Sequence, residues 1–208
     1  MKKEIIRYDD TFWNIDMALV NAFDIGALAE TPLVYILSKT IPEEYQPDDN
    51  ILAASVGCGN FINDAAVIKG FHLIRFGPKK QVYLVGIDIQ PKFFDRDEYD
   101  LELRGEFANA LTDIPWQAGL VMGNQEKYEY IQILNPDFLN SDWQDIYLQG
   151  LRFLSPSGIL VTVCHKDDMS GLEEITSNLS RDNAYNVGRI RLFSEIPCFN
   201  SHSYRISY

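Results

Sequence analysis

Positive charge is what this chain has least of. Its 18 Lys and Arg stand against 30 Asp and Glu, for a formal net charge of -12. Such a surface repels phosphate backbones, so a nucleic-acid partner is not expected. Cysteine is scarce too. Cys58, Cys164 and Cys198 form an odd, scattered set without a Cys-x-x-Cys pair, which excludes a disulfide framework and fits reduced thiols. His72, His165 and His202 have no metal-ligand spacing, so no metal is expected. Long apolar runs are missing. Ile51–Val56 and Gly158–Cys164 are far too short to span a bilayer, and the polar and acidic residues that follow Met1 leave no signal-like apolar stretch. A cytoplasmic protein with no membrane partner is expected. The phosphate-loop pattern Gly-x-x-x-x-Gly-Lys-Ser/Thr and the Gly-x-Ser-x-Gly elbow are both absent.

What is present is ordinary globular composition, with 46% hydrophobic and 23% charged residues in 208. That length suits one domain, 1–208. An N-terminal helical segment, 1–50, would precede an α/β core, 51–208, with the acidic stretch Pro42 to Asn50 between them. Helical pattern runs from Asp10 to Thr40 in two pieces, with Pro32 in a first turn after Thr31. Ile51–Val56 reads as a strand, Asn63–Phe71 as a helix and Gln81–Ile87 as a second strand. Pro91 opens a predicted helix to about Ala110; Gly119–Met122 and Tyr128–Leu134 are predicted strands. A helix from Ser141 or Asp142 to Leu154, the turn Ser155–Gly158, the strand Ile159–Cys164 and a helix over Ser170–Leu179 follow. Gly188–Ile196 and Ser203–Tyr208 read as strands that could pair antiparallel at the C-terminus. Alternation of strand and helix implies a mostly parallel sheet with right-handed crossovers.

Two places carry chemistry. Ser55-Val56-Gly57-Cys58-Gly59-Asn60-Phe61 follows the first core strand. Glycine lets a backbone turn sharply and lets a ligand press against it, beside the unpaired N–H groups of the next helix; the alternative is a plain strand-to-helix turn. Asp88 ends the next strand, where ligands bind in open α/β sheets. A carboxylate there can accept hydrogen bonds from both ribose hydroxyls, or it caps a helix before Pro91. Cys58, inside the turn, reads as a small filler rather than a nucleophile, and His165 as a polar strand end or a base.

Gly57-Cys58-Gly59, then Gly86-Ile87-Asp88-Ile89-Gln90-Pro91, then Leu151 to Val161 with Ser155-Pro156-Ser157-Gly158 at its centre resemble three ordered motifs of class I S-adenosylmethionine-dependent methyltransferases. The resemblance covers about Ile51 to Cys164 and implies a Rossmann-like methyltransferase fold with a C-terminal antiparallel strand pair. It implies S-adenosylmethionine as cofactor, with Ser55, Gly57, Cys58 and Gly59 at its methionine part, Asp88 on the ribose and Ile89 against the adenine. Gly123-Asn124 resembles the third motif and would bring Asn124 to the adenine amino group. Asn135-Pro136-Asp137 would line the transfer site, with Asn135 near the cofactor and Asp137 near the acceptor. Tyr8, Phe12 and Trp13 could cover the pocket or simply pack on the sheet. The acceptor would be a small molecule or a protein.

The sequence departs from the family at two positions. Ser55 stands where an acid is common, and Phe61 or Asn60 where the third glycine falls. These departures favour a rival reading, a methyltransferase-like binding or regulatory module without activity. A second rival is a nicotinamide-dependent oxidoreductase, but Ile62 occupies the third glycine of its Gly-x-Gly-x-x-Gly pattern.

Overall fold

A computed structural model describes residues 4–6, 20–58, 61–88, 103–107, 110–134, 136, 142–165, 169–181, 190–196 and 204–206. Eight strands lie in it: β1 (Glu4–Ile6), β2 (Asn50–Val56), β3 (Gln81–Asp88), β4 (Leu103–Phe107), β5 (Tyr128–Leu134), β6 (Leu154–His165), β7 (Ile190–Ile196) and β8 (Tyr204–Ile206). The helices are α1 (Ile25–Glu30), α2 (Pro32–Thr40), α3 (Phe61–Phe76), α4 (Asp113–Gly123), α5 (Trp143–Phe153) and α6 (Met169–Arg181).

Six strands form one sheet in the order β4-β3-β2-β5-β6-β7, and every pair in it is parallel. The fold is α/β and Rossmann-like, with a mostly parallel sheet. Ile51 to Val56 is buried along its whole length, as a central parallel strand covered on both faces must be. The chain runs outward through β2, β3 and β4, then returns to the middle at β5 and runs outward the other way. The order therefore reverses between β2 and β5, and their carboxyl ends flank the crevice where such sheets bind ligands.

Each face of the sheet has its own core. Residues of α1, α2 and α3 pack on one side with Ala53, Leu84, Tyr130 and Val161. Residues of α4, α5 and α6 pack on the other with Leu52, Val85, Ile131 and Leu160. Alternate residues of each strand thus feed alternate faces, as the pleat requires.

Several expectations need correction. The C-terminal strands do not pair with each other. The helical crossover α6 brings the chain back to the end from which β6 started, so β7 joins β6 in parallel. β8 pairs antiparallel with β1 instead, in a separate two-stranded sheet. The N-terminal segment therefore holds a strand as well as helices. Leu103–Phe107, expected to be helical, is the edge strand β4. Gly119–Met122, expected to be a strand, lies inside α4. The turn Ser155–Gly158 exists, but as a bulge within β6: Leu154 pairs with Tyr128 and Ile159 with Tyr130.

Candidate functional site

At the carboxyl edge of the sheet β2 gives way to Gly57, whose φ of 66° lies in the left-handed region that favours glycine. Its N–H donates to the Ile87 carbonyl at 2.8 Å. This bond stitches the turn to β3 one residue before Asp88, so the glycine turn and the strand-end acid are brought side by side as the sequence reading expects. Asp88 is half-buried.

Beneath the turn lies a polar cluster that sequence reasoning missed. Ser55 is fully buried, and its hydroxyl donates to the Oδ2 of Asp64 in the first turn of α3. Ser55 is therefore turned to Asp64. Burial pushes the Asp64 carboxyl up to about 7; the Ser55 bond works against that and the Asp88 charge adds to it. The Cys58 thiol is raised well above its usual range, first by burial and then by Asp64 and Asp88. It stays protonated and cannot act as a thiolate. On β5, Gln132 pairs in register with Ser55. Gln132 is buried; its Oε1 accepts from the Tyr130 hydroxyl at 3.2 Å, and its Nε2 has no hydrogen-bond partner.

Two aromatic rings shape the rest. Phe61, buried at the start of α3, lies on Gly86 of β3, where an added methyl group would stand 2.8 Å from the ring. The bulk of Phe61 is thus matched by a glycine under it. Trp143, the first residue of α5, reaches over Gly57, and a methyl group there would lie 3.2 Å from the indole.

With this geometry in hand, comparison with known proteins places the architecture. No protein-family profile matches the chain, and no curated protein does. Among solved structures it is similar to the plantazolicin methyltransferase BpumL in complex with SAH. That match has 14% identity and a TM-score of 0.50, covering 80% of this chain and 75% of that one. Precorrin-6y C5,15-methyltransferase from Geobacter metallireducens is also similar, with 13% identity, 73% and 71% of the two chains covered, and a TM-score of 0.45. This chain shares the Rossmann-like α/β fold of BpumL.

On this fold one expected contact is misplaced. Asn124 is the left-handed C-cap of α4, with φ 50°, and its N–H closes the helix on the Leu120 and Val121 carbonyls. Gly123 beside it packs against Leu52, near the start of β2. Asn124 therefore sits at the amino edge of the sheet, opposite Gly57 and Asp88, and cannot meet the same ligand. Between β4 and α4 the described residues begin at Ala110. Ala110 is buried, and its carbonyl accepts from Trp116 Nε1 at 2.9 Å. Pro136, after β5, is also buried. Gly59, Ile89, Asn135, Asp137, Tyr8, Phe12 and Trp13 lie outside the described residues. No helix of the described residues is long and apolar enough to cross a membrane.

Proposed function

We propose that this chain transfers a methyl group from S-adenosylmethionine to a small-molecule or protein acceptor, with the cofactor at the Gly57 turn and its ribose on Asp88. The observation that carries the reading is the charge around the turn. Asp64 stands in the first turn of α3, and Asp88 ends the neighbouring strand. A helix N-terminus free of acids favours anions such as a pyrophosphate. Here two carboxyl groups counter that preference and favour a cationic ligand. S-adenosylmethionine carries a sulfonium, and when bound it supplies a methyl group already activated by that charge. This also weighs against a dinucleotide, although the sheet order is one that dinucleotide-binding domains use.

The residues fit the cofactor. Asp88 can accept hydrogen bonds from vicinal hydroxyls, Gly57 offers an exposed backbone without a β-carbon, and the Trp143 indole stands beside it as a wall for the ligand. The protein's remaining task is to align the acceptor, so proximity supplies much of the rate and no dedicated base is required.

Trp143 and Phe61 also favour a second reading, a binding module on the same fold, since both rings occupy space beside the turn and strand. Calorimetry with S-adenosylmethionine and with its demethylated product separates the readings from a fold with no ligand. Micromolar binding is expected, weakened by about 1.5–3 kcal/mol in Asp88→Ala through loss of charge-assisted hydrogen bonds. Equal affinity in a folded Asp88→Ala would remove the ribose role. Turnover with candidate acceptors then distinguishes an enzyme from a module.

A further inference from the structure

The Ser55–Asp64 pair is an expensive arrangement unless it has a use. A carboxyl group is buried under a ligand crevice, its charged form is disfavoured by desolvation, and none of the groups that move its proton affinity is a cation. Among the described residues the groups facing it are the Ser55 hydroxyl from β2, Cys58 from the turn, Asp88 from β3 and Tyr130 from β5. All four are neutral or negative. Beside them the Nε2 of Gln132, in register with Ser55, is buried without a partner. An acid in a first helical turn is commonly exposed to water, where its charge is solvated; this one is buried. It has the like charge of Asp88 and no cation among the groups that act on it, at the point where a positive ligand would compensate it.

We propose that Asp64 is the proton-linked counter-charge of the cofactor site: its buried carboxyl gives up a proton to solvent as a cationic cofactor enters. Ser55 donates to the carboxylate and steadies the ionised form. The proposal rests on the reading of the Gly57 turn as a site for S-adenosylmethionine. Its consequence is that cofactor affinity depends on pH in a range where the cofactor's own sulfonium does not titrate. The empty-state carboxyl titrates near 7. Binding of a cation lowers that value, so affinity is full above it and falls as the solution becomes more acid.

The test is titration calorimetry of S-adenosylmethionine at pH 6, 7 and 8, in buffers of different ionisation enthalpy, on the wild type and Asp64→Asn. The wild type should release a proton on binding below pH 7, and its affinity should rise by up to about tenfold per pH unit between 6 and 7. Asp64→Asn should lose that extra release and slope, and bind about tenfold more weakly at pH 8. The demethylated product, one positive charge short, should show the shallower slope of the two ligands. Ser55→Ala, which keeps the carboxyl but removes its donor, should move the midpoint to higher pH. Binding with the same slope and proton release in wild type and Asp64→Asn overturns the proposal and leaves the cofactor reading standing. So does an equal slope for both ligands. No binding by the wild type at any pH removes the cofactor reading and this proposal with it. Should Asp64→Asn not fold, an unmoved midpoint in Ser55→Ala overturns the proposal.

Discussion

The two ends of α3 treat a buried titratable group in opposite ways. Asp64 and His72 lie about two turns apart on one helix. His72 is closed on all sides. Its Nδ1–H donates to the Ile68 carbonyl at 2.7 Å, so its Nε2 accepts from the Tyr45 hydroxyl at 3.0 Å. The rings of Phe71, Phe76 and Tyr130 surround it. Burial lowers its pKa from 6.5 to about 4, so it is neutral and satisfied. Asp64 has, among the described residues, one hydroxyl donor and the like charge of Asp88 for a neighbour. A polar group with every valence matched specifies packing. One held beside charges of its own sign is available to a ligand. The same helix thus serves structure at one end and chemistry at the other.

Breaking the structural end should give the largest loss of stability. His72→Leu leaves the buried Tyr45 hydroxyl without its acceptor and removes the second bond to the Ile68 carbonyl, and should cost about 2–4 kcal/mol in denaturant melts. Cofactor affinity should not change while the protein is folded; a parallel loss of binding would dissolve the contrast. Gly57→Val comes next. A β-branched residue at φ 66° should cost about 1–2 kcal/mol, and displacement of Trp143 should abolish cofactor binding by calorimetry. Normal binding in this variant would move the pocket elsewhere. Gly86→Ala presses a methyl group onto Phe61 and should cost about 1–2 kcal/mol, with most of it recovered in the double variant with Phe61→Leu. An additive double variant would mean the two do not share one space.

The finest test uses acid. Asp64 holds its proton more tightly folded than unfolded, since its value rises from 3.8 to about 7. Its stabilising contribution is fully present below about pH 4 and is lost as pH rises through 7. His72 holds its proton less tightly when folded. Its contribution is present above 6.5 and is lost as pH falls through about 4. Between pH 4 and 6.5 the two slopes oppose each other. Relative to wild type, His72→Leu should therefore gain stability on acidification across this window, and Asp64→Asn should lose it. Melting temperatures at pH 4.5 and 6.5 read the difference, and slopes of the same sign in both variants would defeat the assignment.

Where the sequence was legible, the reason is strong local pattern. Tyr128–Leu134 is a strand as read, and the glycine turn and Asp88 meet as their order implied. Leu103–Phe107 was not legible because an edge strand tolerates Arg104, Gly105 and Glu106, which weaken any alternation. The apolar run Gly119–Met122 looks the same in a helix as in a strand, and only tertiary packing, such as that of Gly119 on Tyr128 and Val85, decides. That slip carried Asn124 to the wrong edge of the sheet. Asp64, Gln132 and Trp143 left no signal at all. Each acquires meaning from a partner distant in sequence: Ser55 for the first two, Gly57 for the third.

The pairing of β1 with β8 sets a timetable. Ile5 lies opposite Arg205, and the pair spans almost the whole chain. At about 5–20 residues per second on a ribosome, the first strand waits roughly 10–40 s for the last to be made. Three paired positions cannot nucleate contact across that interval, because loop closure must be met before the pairing rewards it. Strands β2 to β6 can therefore assemble without this clasp, which closes afterwards on a body largely built. By the same logic it is the first part to let go, so the amides of Ile5 and Arg205 should exchange with solvent long before those of Ile131 in the central sheet.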